Sequence, residues 1–161
     1  MIEKEIKFII QEYESNSCEL SYADNELIIK AKEAAKRAYC PYSHFFVGAA
    51  LRLENGEIIT GNNQENAAYP SGLCAERVAL FYANALFPNV SVESLAVCAF
   101  TNDHFVEMPI PPCGACRQVI LETENRFRKP IRIILAGEKT IQIIPSAKIL
   151  LPLNFDESFL K

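Results

Sequence analysis

An α/β sandwich, with helices covering a mixed sheet in three layers, is the fold class predicted for this 161-residue chain, and three observations predict it. An Asn55-Gly56 pair separates two β-rich runs, 45–53 and 57–61, which is the strongest short-range signal for an antiparallel hairpin. Further along, helical and strand patterns alternate through 75–86, 94–100, 113–127 and 131–136, as in strand–helix–strand units packed on a sheet. Half of the residues are apolar, 22% are charged and the mean hydropathy is +0.05, a balance that suits one domain with one sizeable core.

Taken in order, Ile6, Phe8 and Ile10 alternate within 5–14 and predict a strand or extended arm. Apolar residues at helical spacing, with Lys and Arg near the end, predict a helix over 26–39 that Pro41 stops. The hairpin follows, and then 62–72, rich in Asn, Pro and Gly, reads as a loop. A helix over 75–86 ends before Pro88, and 94–100 is a short apolar strand. A second loop spans 101–112 and leads into the helix 113–127, the strand 131–136, a turn, and a last strand at 141–144. No internal repeat, low-complexity tract or linker divides the chain. Residues 1–161 are expected to form a single domain, with 1–20 an extension that the pattern assigns no role.

The formal net charge of −4 and the pI near 5.3 argue against a surface that tracks a phosphate backbone, which needs clustered Lys and Arg. A neutral or small substrate fits better than a nucleic-acid polymer. Met1-Ile2-Glu3-Lys4-Glu5 alternates charged and apolar residues and does not resemble a signal peptide. No window approaches the ~18 consecutive apolar residues of a membrane span, so no membrane association and a cytoplasmic location are expected. In a reducing compartment the six cysteines, unevenly spaced, are read as thiols or metal ligands instead of a disulfide framework.

Cys113-Gly114-Ala115-Cys116 puts two thiols three residues apart on a first helical turn, where both can reach one ion. Alone, this pair fits a redox dithiol or half of a structural zinc site as well as it fits a catalytic metal. Cys74-Ala75-Glu76 adds a third thiolate and a carboxylate at another helix entrance. Three protein ligands leave one tetrahedral position of a zinc open, and a nearby Glu that is not a ligand can serve as a base. This arrangement is the general layout of zinc deaminases: three cysteines, or one histidine and two, with a Glu two residues after the first ligand and Pro-Cys-x-x-Cys later.

Geometry adds a constraint. Residues i and i+2 of a regular helix point to nearly opposite sides, so Cys74 has to sit at the N-cap if it and Glu76 are to share a site. Three thiolates and one zinc dication sum to −1, a weak Lewis acid that helix N-termini and the adjacent Arg77 would offset, and Arg77 is expected to hydrogen-bond a ligand thiolate. Cys98 lies in an apolar strand and reads as a small buried hydrophobe, Cys18 and Cys40 lack partners at ligand spacing, and His44 and His104 are isolated.

With these motifs stand Tyr39-Cys40-Pro41-Tyr42-Ser43-His44-Phe45, Val47 to Leu51, Asn63, Glu65-Asn66-Ala67, Tyr69-Pro70 and Pro112 to Gln118. Together, in this order over roughly residues 24–155, they resemble the cytidine deaminases, of the small zinc type with three cysteine ligands. The resemblance implies one zinc per subunit on Cys74, Cys113 and Cys116. Glu76 would take a proton from the attacking water, pass it to the ring nitrogen beside the amino-bearing carbon and later protonate the departing amine, releasing ammonia and uridine from a free cytosine nucleoside.

By the same resemblance Asn63 and Glu65 hold the ribose hydroxyls, Phe45 packs on the nucleoside, and the Ala75 backbone amide reads the base. Phe155 stacks on the base from a neighbouring subunit, and Tyr69 reaches that neighbour's sugar, within a homotetramer whose sites are shared. Phe46, Asn62 and Pro111 depart from the residues common in that family. Two other functions stay open at this point: a deaminase of the same fold acting on a cytosine-containing antibiotic or a nucleotide, and a zinc module whose cysteines only hold the fold.

Overall fold

The computed structural model describes residues 1–160 and contains seven strands: β1 (Gln11–Glu14), β2 (Phe46–Leu53), β3 (Ile58–Asn62), β4 (Val92–Thr101), β5 (His104–Phe105), β6 (Arg132–Ala136) and β7 (Thr140–Ile144). They form one sheet in the order β1-β7-β6-β4-β2-β3, with β5 folded back on β4. The pair β4–β6 is parallel and all others are antiparallel, so the sheet is mixed as expected. Among the described residues there are four α-helices, α1 (Tyr22–Ala35), α2 (Ala75–Leu86), α3 (Gly114–Phe127) and α4 (Ala147–Leu150), besides two short 3₁₀ turns.

Period-two alternation along the central strands sorts their side chains into two cores. Ala49, Leu51, Leu95, Val97, Ile133 and Leu135 face one side, where Ala75, Ala79 and Leu80 of α2 and Ile120 and Leu121 of α3 meet them. Ala50, Ala96, Cys98, Ile134 and Ala136 face the other, where Leu27, Ile28, Ala31 and Ala35 of α1 cover them. Three layers result, α2 and α3 on one face and α1 on the other, with both faces of β4 and β6 buried.

The turn at Asn55-Gly56 joins β2 to β3 as expected, with Gly56 at φ 86° and Leu53 N–H bonding the Glu57 carbonyl at 2.9 Å. Helix α1 starts four residues before its expected position, because Ser21 caps it and accepts from Asp24 N–H at 3.1 Å. It also ends earlier, at Ala35. Tyr39 N–H bonds the Asn63 carbonyl at 3.1 Å and the Tyr39 carbonyl accepts from Glu65 N–H at 2.9 Å, so this backbone is drawn away from the helix towards the end of β3.

At the N-terminus only Gln11–Glu14 is strand, and residues 1–10, including the alternating Ile6, Phe8 and Ile10, are exposed. The ladder runs from Gln11 opposite Ile143 to Glu14 opposite Thr140, and β7 extends only one residue past it, to Ile144, so residues 1–9 have no strand position to face.

Gly61 sets how deeply the first turn of α2 can sit. A Cβ there would stand 2.5 Å from Ala79 N and 2.7 Å from the Ala75 carbonyl, so a side chain would push α2 off β3. Gly61→Ala is expected to cost about 1–3 kcal/mol of stability, read from urea unfolding. An unchanged midpoint would mean that the β3–α2 contact yields without strain.

Candidate metal centre

Helices α2 and α3 lie on the same face of the sheet and pack against each other. Cys74 is the N-cap of α2 (φ −72°, ψ 155°) and Cys113 the N-cap of α3 (φ −65°, ψ 165°), so both side chains project from extended backbone into the region of free helix N–H groups. Cys74 therefore occupies the position that its spacing from Glu76 requires. Cys116, one turn into α3, is fully buried, Cys74 is half-buried and Cys113 is exposed.

The three Sγ atoms lie within 4.8 Å of one another, with Cys74–Cys113 at 3.7 Å and Cys113–Cys116 at 3.4 Å. Zinc with Zn–S bonds of about 2.3 Å places tetrahedral sulfurs about 3.8 Å apart, so this donor set fits zinc nearly without rearrangement. Among the described residues, Cys18, Cys40 and Cys98 stand outside the cluster. Burial pushes the Cys98 thiol up to about 12, which suits the inert role expected for it, and burial likewise raises Cys40.

The Cys74 thiol is lowered to about 5, first by a hydrogen bond from Cys116 and then by Arg77 and Cys113, against the opposing effect of burial. Cys116 is raised, by the same contact with Cys74 and by burial. One thiol of the trio is thus set up as the anion, and a dication would take all three as thiolates. Arg77 places Nη2 3.9 Å from Cys74 Sγ and 3.5 Å from the Gly72 carbonyl, the thiolate contact expected of it. Its Nε is buried with no hydrogen-bond partner among the described residues. Such an orphan costs about 1–3 kcal/mol, and the net negative charge of three thiolates around a zinc dication would offset that cost.

Glu76, in the first turn of α2, is only 4% exposed. Burial raises its carboxyl above the ordinary range and the charge of Cys74 adds to this, while its own backbone N–H, the Cys116 thiol and Arg77 pull it down. This setting favours the protonated form of the Glu76 carboxyl over what water would give it. Ala75 is the first helical residue, so its N–H is one of the donors that α2 leaves without an intrahelical partner.

A cleft of about 560 Å³ opens beside the cluster and brings Ser43, Asn63, Glu65, Tyr69, Cys74 and Arg77 to one surface. Asn63 Oδ1 accepts from Val47 N–H at 2.7 Å, its Nδ2 donates to the Phe45 carbonyl at 2.9 Å, and the same side chain bonds the Cys40 thiol, so one lone pair of Oδ1 remains for a ligand. Glu65 Oε2 accepts from Tyr42 N–H at 2.9 Å and Ser43 N–H at 3.2 Å, and Oε1 accepts from the Ser43 hydroxyl. These donors, the Ser43 hydroxyl first, hold the Glu65 carboxyl below its usual range and keep it ionised.

Phe45 is half-buried and joins this surface through its carbonyl bond to Asn63, while its ring does not line the cleft. Tyr69 is 80% exposed, its ring edge-on to Tyr42 at 6.5 Å. Phe155, also exposed, lies outside the cleft and stacks on Phe159. Ser43 and Gln64 are cleft residues to which the pattern assigned no role. Gln64 exchanges two backbone bonds with Leu73, at 2.9 and 3.0 Å, and so closes the loop that leads into Cys74. A hydroxyl two residues before Phe45 was on view in the sequence, but pairing it with a carboxylate 22 residues later takes the fold.

Residues 21–129 match the family model of the cytidine and deoxycytidylate deaminase zinc-binding region. The cytidine deaminase of Halalkalibacterium halodurans is 48% identical over 100 residues, which is 62% of this chain and 71% of that one. The Mycobacterium tuberculosis cytidine deaminase is 42% identical over 111 residues, 67% of this chain and 79% of that one. Among solved structures, the cytidine deaminase of Burkholderia pseudomallei superposes with a TM-score of 0.70 at 38% identity, covering 84% of this chain and all of that one. The cysteine trio, the buried carboxylate between its members and the mixed sheet beneath them accordingly have one explanation in common: this chain belongs to the cytidine and deoxycytidylate deaminase family.

Proposed function

We propose that the protein catalyses the hydrolytic deamination of free cytidine and deoxycytidine to uridine and deoxyuridine, releasing ammonia, as a step of pyrimidine salvage in the cytoplasm. The observation that carries this reading is a buried, non-ligand carboxylate, Glu76, beside three thiols that offer zinc three ligands and leave its fourth position open. Zinc bound there supplies a Lewis acid that brings the ionisation of water towards neutral pH.

Glu76 takes one proton from the attacking water and gives it to the ring nitrogen, where uridine keeps it. It then takes the remaining proton of the added hydroxyl and gives it to the amine, which leaves as ammonia while the carbonyl forms. The Ala75 N–H, unpaired at the start of α2, meets the base edge, and Phe45 borders the nucleoside. Asn63, through the free lone pair of its Oδ1, and the ionised Glu65 meet the ribose hydroxyls. Tyr69 and Phe155, exposed in one copy, act at the site of a neighbouring copy within a homotetramer. Among the described residues no helix is long and apolar enough to cross a membrane. The net charge of −4 suits a free nucleoside better than a polymer.

Zinc-loaded protein is expected to release ammonia from cytidine and deoxycytidine, with the accompanying ultraviolet change. Turnover of a cytosine-containing antibiotic with neither nucleoside accepted would replace the substrate. Absence of turnover on all three, with zinc bound, would reduce the cluster to a structural site.

Arg77 is expected to act through Cys74. Arg77→Gln should weaken zinc binding by roughly 10–100-fold, measured by competition with a chelator, as partners of ligands usually do. Equal zinc affinity and equal rate in the variant would remove Arg77 from this role.

A further inference from the structure

The helix that carries two of the three thiols also holds the C-terminal tail. Arg117 and Gln118 follow Cys116 directly and turn to opposite tasks. Arg117 Nε donates to the Pro112 carbonyl at 2.8 Å and its Nη1 to the Leu150 carbonyl at 3.0 Å, so one guanidinium joins the residue before Cys113 to the end of α4. Five residues beyond Leu150, Gln118 Nε2 donates to the Phe155 carbonyl at 2.9 Å.

Between and beyond these two points the tail braces itself. Asp156 Oδ1 accepts from Ser158 N–H at 2.9 Å and Oδ2 from Asn154 Nδ2 at 3.1 Å, and a short 3₁₀ turn, Glu157–Leu160, follows. This turn brings the Phe159 ring to 5.7 Å from that of Phe155, with 15° between their planes. Phe155 nonetheless stays 59% exposed, so Phe159 backs one face of the ring and leaves the other uncovered.

We propose that Gln118, acting with Phe159, is a positioning residue for the known reaction: it pins the backbone of Phe155 to the metal-binding helix while Phe159 backs the ring, presenting a preset aromatic face to the base. The inference rests on the reading of Phe155 as a base-stacking residue. Flexible presentation of a ring costs binding, because the ring must be ordered each time substrate arrives, and a tether fixed before binding removes that cost. The effect belongs to substrate binding and not to the proton transfers at Glu76, so it separates KM from kcat.

The test uses the zinc-loaded full chain with cytidine. Gln118→Met keeps the length of the side chain and loses the donor. It is expected to raise KM about five-fold, the change in population that one hydrogen bond of ordinary net strength makes, with kcat within two-fold and zinc content unchanged. Gln118→Lys, which restores a donor of similar reach, should return KM towards the parent value.

In the double variant Gln118→Met/Phe155→Ala, KM should be no higher than in Phe155→Ala alone, because a tether has nothing to position once the ring is gone. Raised KM in Phe155→Ala together with unchanged KM in Gln118→Met would overturn the tether alone. So would a penalty for Gln118→Met that persists in full on the Phe155→Ala background. Unchanged KM in Phe155→Ala would overturn the stacking reading and the tether with it.

Discussion

Replacing Glu76 by Gln is expected to lower kcat/KM for cytidine by roughly 100- to 10,000-fold, the contribution a positioned general acid–base makes, while zinc content stays at one per chain. The substitution keeps the side chain's volume in a site that is only 4% exposed, so packing against the start of α2 survives. It removes the one property that the proposed chemistry needs, a group that accepts a proton and gives it back. Stability should not fall either, because burial already works against the charged form of Glu76, and the amide is free of that penalty.

Activity, metal content and thermal unfolding measured on the same preparation separate the possible readings. A variant that loses zinc along with activity would make Glu76 a support of the metal site. A variant that keeps both substantial turnover and zinc would leave the carboxylate without the role assigned to it. Cys116→Ala is the useful contrast, since it removes a ligand from the fully buried side of the cluster and should lose zinc and activity together.

How much of this could be read from the chain depends on what carries each feature. The hairpin at Asn55-Gly56 and the bounds of α2 were legible because local chemistry decides them: a turn pair needing positive φ, and a run of helix formers with Pro88 after it. The cysteine trio was legible for a different reason, since ligand spacing within Cys113–Cys116 and the N-cap requirement on Cys74 are properties of helix geometry.

Features set by partners distant in the chain were not. The end of α1 is fixed by backbone bonds from Tyr39 to Asn63 and Glu65, and β1 lies along a β7 that extends only one residue past their ladder. Segment 101–112 was read as loop, yet Asn102 and Asp103 adopt φ 50° and 62° and fold β5 back on β4. Both residue types tolerate that conformation, so a local signal for this turn is present in the chain. The donors around Glu65 and the tail contacts of Arg117 and Gln118 join residues 22 to 37 positions apart, and spacing rules do not reach that far.

Glu124 is a further case of a residue whose importance the fold alone discloses, and it carries the second large prediction. It sits in the last part of α3, 4% exposed, and its three partners are all neutral donors. Oε2 accepts from Ile131 N–H at 2.9 Å and Ala147 N–H at 2.8 Å, and Oε1 from the Ser146 hydroxyl at 2.6 Å. One carboxylate thereby ties the far end of the metal-binding helix to the entry of β6 and to the first residue of α4, the helix whose last carbonyl Arg117 holds.

Glu124→Leu strands two buried amides, each at about 1–3 kcal/mol, and is expected to lower stability by about 2–5 kcal/mol in urea unfolding. Glu124→Gln should cost only about 1 kcal/mol, because the amide oxygen can keep both backbone donors while its NH₂ turns to Ser146, whose hydroxyl can accept as well as donate. The difference between the two variants isolates the hydrogen bonds from the loss of charge. If Glu124→Leu and Glu124→Gln unfold at the same urea concentration, the amides of Ile131 and Ala147 find other partners and α3 is held at this end by packing alone.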